Sequence, residues 1–253
     1  MDSSFDPWAA AAERLRDDSE GLDELRKLEM LWRCRAPSSY RRFDLSRHPD
    51  PAAHAESLRL WREINVRDTD AQPDKMGLIL CGGSGAGKTF SAYEIIQQVV
   101  CANFDGCGYL PATHAAVDLA RVLRTDSYGT DREVAAAFRL LREDPTDEDH
   151  DRMDGGYILG VEAVHWWTIE GLFLDDLHMA RGSKRWLEEL YALVETLMQD
   201  RRPLLVTSQV SGNRLIELMT GRDADLRETA EAIVRRLRDY CAAVEFRRGP
   251  PSP

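Results

Sequence analysis

Gly82-Gly83-Ser84-Gly85-Ala86-Gly87-Lys88-Thr89 is the stretch on which the fold turns. It is a complete G-x-x-x-x-G-K-T phosphate-binding pattern, and its flanks suit it. Before it, Gly77-Leu78-Ile79-Leu80-Cys81 is a short apolar run of the kind buried in a parallel sheet. After it, Phe90 to Cys101 holds neither Gly nor Pro and sets Tyr93, Ile96, Val99 and Val100 near one helical face. Strand, glycine loop and helix are the context in which such a pattern cradles phosphate.

The residue types explain the chemistry. Glycines allow a tight curl in which successive N–H groups point at phosphate oxygens. The helix starting near Lys88 adds its positive dipole end. Gly83, Ser84, Gly85, Ala86 and Gly87 form the cradle, Lys88 is placed for the β- and γ-phosphates, and the Thr89 hydroxyl for Mg²⁺. ATP with Mg²⁺ is the expected cofactor.

Composition narrows the class. With 253 residues and 43% hydrophobic content, the chain can bury a core. A net charge of −11 and a pI near 5.1 argue against wrapping duplex DNA through bulk electrostatics. Five cysteines, with no C-x-x-C pair, support neither a zinc site nor a disulfide framework. No apolar run approaches the ~18 residues of a membrane span, and the N-terminus lacks a signal-peptide core, so a cytoplasmic location is expected.

A second anchor lies about 86 residues beyond the loop, where Gly171-Leu172-Phe173-Leu174 runs into Asp175-Asp176. Ligands gather at the carboxyl ends of strands in a parallel sheet, so Asp175 is expected to hold the metal and Asp176 to orient the attacking water. Pro203-Leu204-Leu205-Val206-Thr207 reads as another buried strand, ending in Ser208-Gln209, where Gln209 can reach a γ-phosphate or the lytic water.

The remaining elements follow from periodicity. Residues 1–35 read as a helical arm with a stripe at Leu22, Leu25, Leu28 and Trp32. Such a stripe usually packs against its own protein, and its place outside the nucleotide-binding unit makes a partner-docking element the sharper alternative. Residues 36–73 are a linker and a helix from Pro51 to Asn65. Residues 74–248 form the phosphate-binding domain, with a tail at 249–253. Within the domain, Gly108 to Pro111 is a marginal strand, and helices are expected over 115–124, 131–142, 184–199, 213–219 and 228–240. Ala242 to Phe246 closes the sheet. The acidic stretch 143–154 fails as a calcium loop, because Arg152 stands where Gly is needed and Ile158 where Glu is needed. Strands alternating with helices give an α/β fold with a parallel sheet.

From about residue 36 to 248 the chain resembles the DnaC/IstB family of AAA+ ATPases, the helicase loaders and transposition helpers of bacteria and phages. The resemblance is carried by Gly82–Thr89, Leu172–Asp176, Pro203–Val210 and Arg235-Arg236-Leu237-Arg238 leading into Val244-Glu245-Phe246. It implies a five-stranded parallel sheet flanked by helices, with the N-terminal arm but without the C-terminal helical lid of larger relatives. It also implies a sensor role for Gln209 and an arginine finger at Arg236, with Arg235 and Arg238 competing for that role. Such a finger completes a neighbouring subunit's site and makes an ATP-dependent homo-oligomer the active form. Two departures stand out: Gln209 replaces the family's Asn, and Asp176 stands where many AAA+ proteins carry Glu.

The function implied by the resemblance is an ATP-dependent loader that docks on a replicative DnaB-like hexameric helicase and helps place it on single-stranded DNA during replication initiation. The alternative is an IstB-like helper of transposition acting on duplex DNA. A small-molecule kinase and a scaffold that barely hydrolyses ATP use the same loop.

Overall fold

The computed structural model describes residues 7–19, 21–23, 25, 26, 29, 48–64, 74–103, 172–179, 184–221 and 223–248. A parallel sheet lies at its centre. Strand β1 (Gly77–Gly82) pairs with β3 (Leu204–Ser208) on one side and β4 (Cys241–Phe246) on the other, and β2 (Leu172–Leu174) extends the β3 edge. Leu78 pairs with both Leu205 and Ala242, and Leu174 with Val206. Continuous apolar runs rather than alternating ones fit strands covered on both faces. Leu78 and Leu80 are fully buried, and burying each contributes about 2 kcal/mol.

Six helices flank this sheet among the described residues: α1 (Pro7–Arg14), α2 (Pro51–Ile64), α3 (Lys88–Asn103), α4 (Lys184–Gln199), α5 (Gly212–Thr220) and α6 (Arg227–Tyr240). Asp50 starts α2 by accepting the Ala53 N–H at 3.1 Å, with Pro51 at the first helical position, where no N–H is needed. Ala53, His54, Ser57, Trp61 and Ile64 form its buried face, which packs on α3, β1 and β4. Leu187, Leu190, Leu193, Val194 and Leu197 of α4 meet α6, which buries Ala230, Ile233, Leu237 and Tyr240. The Tyr240 hydroxyl binds the carbonyls of Leu197 at 3.0 Å and Arg202 at 2.7 Å, tying the ends of α6 and α4 together.

The expected elements are present with small shifts of boundary. The third strand starts at Leu204 rather than Pro203, whose nitrogen has no hydrogen for the ladder. The helix after the glycine loop starts at Lys88 and buries Tyr93 and Ile96, as its spacing predicts. Four strands are described against the five expected. The fifth candidate at 108–111, the helices at 115–124 and 131–142, the acidic stretch and the side chains of Val99, Val100 and Trp186 lie outside the described residues.

In the arm, Trp8, Ala11, Leu15 and Leu25 join the same core as the sheet, and α1 packs on α3. The described part of the apolar stripe therefore faces its own protein, and Leu28 and Trp32 lie outside the described residues. No described helix is long and apolar enough to cross a membrane.

Candidate functional site

All four strands run in one direction, so their carboxyl ends share one edge of the sheet. There β1 gives way to the glycine loop, β2 to Asp175-Asp176, β3 to Gln209 and β4 to Arg247. Gly82 leaves the sheet at φ +147°, and a Cβ on it would lie 2.2 Å from the Phe246 carbonyl oxygen. The strand can approach β4 this closely only as glycine. Gly85 and Gly87 take φ +74° and +92°, conformations that side chains resist.

Lys88 opens α3, and the residue is 5% exposed. Its Nζ donates to the carbonyls of Gly82 at 2.7 Å and Gly83 at 2.9 Å, which centres the ammonium inside the loop. Burial holds its pKa below the ordinary lysine value, while Asp176, the Cys81 thiol and Asp175 pull it back up. An incoming anion of several oxygens can replace the two carbonyls as partner and offset the cost of burying the charge.

Thr89 is one residue further on, and its hydroxyl donates to Asp175 Oδ1 at 3.0 Å, across 86 residues of chain. Asp175 is 3% exposed and also accepts from the Thr207 hydroxyl. Thr207 Oγ1 in turn accepts the Asp176 N–H at 2.8 Å. The threonine of β3 therefore holds both aspartates of the β2 end. Asp176 sits at φ +55°, a left-handed conformation that Asp tolerates better than most residues.

These residues fit Mg²⁺. The ion takes hard oxygen ligands in an octahedron at about 2.1 Å, which spaces neighbouring ligands about 3 Å apart. The Thr89 and Asp175 oxygens already stand at that spacing. They would hold the ion, and the ion would neutralise charge on a bound phosphate chain.

Gln209 is exposed at the tip of β3, and its N–H donates to Nδ1 of the buried His178 at 3.3 Å. Arg236 lies elsewhere, on α6, paired with Glu195 of α4. The Tyr191 hydroxyl first and Glu195 second raise its basicity further. Arg235 is exposed and has no ion-pair partner among the described residues, and Arg238 is exposed beside Asp239. The structure thus brings Lys88, Thr89, Asp175 and Asp176 together, sets Gln209 on the adjacent strand end, and holds Arg236 against its own subunit.

Five participants carry weak signals in the sequence. Thr207 and Ser208 are polar residues closing an apolar strand, which marks a strand end but names no partner. His48, His54 and Ser91 meet beside Gly87 through contacts between α2, its leading residues and α3. No local spacing relates them.

No protein-family model matches the chain, and no curated protein matches it in sequence. Solved structures do resemble it. A structure of DnaI is similar at 18% identity and a TM-score of 0.48, over 78% of this chain and 86% of that one. A DnaC helicase loader is similar at 17% and 0.43, over 81% and 96%. A protein assigned as a candidate primosome component from Streptococcus pyogenes serotype M3 is similar at 16% and 0.43, over 85% and 92%. At these values none of the likenesses bears on function, which rests on the site.

Proposed function

We propose that this chain binds ATP with Mg²⁺ at the Gly82–Thr89 loop and hydrolyses it when assembled. The observation that carries the reading is the Thr89 hydroxyl at 3.0 Å from the buried Asp175 carboxylate, beside an ammonium held inside a glycine cradle. The loop N–H groups and Lys88 would bind the phosphates. Asp176 and Gln209 would hold the attacking water in line, and an arginine from a neighbouring copy would meet the charge that develops. Arg236 takes that role by the family pattern and must then exchange Glu195 for phosphate.

The motif resemblance supports a further step, that the protein is a loader of a DnaB-like replicative helicase onto single-stranded DNA. The acidic balance, −11, favours this over a transposition helper that covers duplex DNA.

The test of the core reading is binding of a fluorescent ATP analogue with and without Mg²⁺. Wild type is expected to bind and Lys88→Ala to lose at least ~100-fold in affinity, the weight of a buried charge-assisted contact. Equal affinities would overturn the reading. The loader step is tested by co-elution with a hexameric replicative helicase. Deleting residues 1–35 would strip Trp8, Ala11, Leu15 and Leu25 from the core, so charge reversal at the exposed Arg16 and Arg26 is the cleaner probe of arm docking.

A further inference from the structure

His48 stands 39 residues before Gly87 in sequence and touches it in space. Its ring is 5% exposed and lies on Gly87, the last glycine before Lys88. A Cβ on Gly87 would fall 2.5 Å from both Cε1 and Nε2 of that ring and 3.2 Å from Cδ of Pro49. The imidazole therefore fills the space that the missing side chain leaves.

The hydrogen bonds define how the ring is held. His48 Nδ1 accepts the Asp50 N–H at 2.9 Å, which leaves the single proton of the neutral ring on Nε2. Nε2 faces the Gly87 carbonyl at 3.3 Å and Ser91 Oγ at 3.0 Å, and its N–H donates to that pair. Ser91 is fully buried in the first turn of α3, and its own O–H is free to donate to His54 Nδ1 at 2.9 Å. The two imidazoles stack with centroids 4.8 Å apart and planes at 26°. Behind the ring, the Asp50 carboxylate accepts the Ala53 N–H at 3.1 Å and the Arg247 N–H at 2.7 Å. The His48–Asp50 segment is thereby anchored to the start of α2 and to the end of β4.

We propose that His48 is a positioning residue for the phosphate loop: its neutral ring holds the Gly87 carbonyl and the Ser91 hydroxyl, and so sets the left-handed Gly87 and the first turn of α3 in the shape that receives phosphate. The inference rests on the nucleotide-binding reading above. His48 itself touches no phosphate. It acts by fixing the peptide that precedes Lys88, on the same principle by which a supporting hydrogen bond orients a ligand-bearing group. Without it, the loop must find its binding shape in competition with other turns, and affinity falls by the fraction of time the shape is absent.

The experiment compares affinity for a fluorescent ATP analogue among four proteins, each measured well below its thermal midpoint. His48→Ala is expected to bind at least ~10-fold more weakly than wild type, and His48→Gln, whose Nε2 can still donate to the carbonyl, to recover most of the loss. Tyr240→Phe, a change far from the loop in the fold's α4–α6 contact, serves as the destabilised control and is expected to bind like wild type. Affinity of His48→Ala within twofold of wild type would overturn the inference, as would a loss that Tyr240→Phe reproduces. Should His48→Ala fail to fold, Ser91→Ala removes one hydroxyl between the two rings and is expected to weaken binding about fivefold, with no change counting against the proposal. If binding depends on Lys88 but ignores His48 and Ser91, this inference alone falls. If wild type binds no nucleotide, the nucleotide reading falls with it.

Discussion

Taking the protein from pH 7.5 to pH 5 should weaken it measurably through one buried side chain. His54 is 4% exposed, stacked on His48 and hydrogen-bonded to Ser91. Burial, and next the neighbouring His48, lower its pKa from 6.5 to about 4. The native state thus disfavours the charged ring, and the unfolded chain binds more protons throughout the interval between those two values. The stabilisation is fully present above pH 6.5 and is lost as the pH falls toward 4. At pH 5 the ring would be about 97% protonated unfolded and about 9% protonated folded, a difference of about 2 kcal/mol. Allowing for solvent screening near the loop, a loss of about 1–2 kcal/mol is expected. His48 adds in the same direction, since burial lowers its pKa as well. Asp50 stays outside the window. Burial alone would raise its pKa, but the Arg247 and Ala53 N–H groups and the charges of His48 and Arg247 outweigh that and hold it below the usual carboxylate value. Urea unfolding followed by far-UV circular dichroism at pH 7.5, 6.5, 5.5 and 5.0, at constant ionic strength, measures the effect. His54→Phe is the reference, because carboxylates titrate alike in both proteins. The stability difference between wild type and His54→Phe should shrink by about 1–2 kcal/mol across the series. Parallel profiles would refute the reasoning.

Three further outcomes are expected. Thr207→Val removes the hydroxyl that Asp175 and the Asp176 N–H share. It should cost about 2–3 kcal/mol in urea unfolding, because a charge-assisted bond is lost and a partly buried donor is left without its partner; a change under ~0.5 kcal/mol would show that the aspartates do not depend on it. Tyr240→Phe should cost about 1 kcal/mol, since the single hydroxyl proton is shared between the carbonyls of Leu197 and Arg202, read as a lowered thermal midpoint. Gly82→Ala should cost at least ~3 kcal/mol, because the new Cβ meets the Phe246 carbonyl at 2.2 Å and must push β1 and β4 apart. Calorimetry of the purified variant checks this, and a near-native midpoint would contradict the close approach of the two strands.

The local grammar of the chain was legible without the fold. Glycines at 82, 85 and 87 mark backbone that must turn through positive φ, and all three do so. Lys88 and Thr89 follow directly on a helix start, and Asp175 follows directly on a strand, so their placement at one sheet edge needs only the rule that parallel strands present their carboxyl ends together. The close contacts of the site were a different matter. Thr89 meets Asp175 across 86 residues, Thr207 meets Asp175 across 32, and His48 meets Ser91 across 43. The two Asp175 pairings depend on the sheet order β2-β3-β1-β4, which fully apolar strands do not encode, since without alternation they offer no register or neighbour preference. The His48–Ser91 pairing depends on the packing of α2 against α3. The arm shows the same limit: an apolar stripe records that Leu25 will be buried, not whether its own core or another protein buries it. Propensity and turn chemistry act over a few residues and are written in order along the chain. Which distant side chains share a hydrogen bond is decided only when packing brings their strands and helices together.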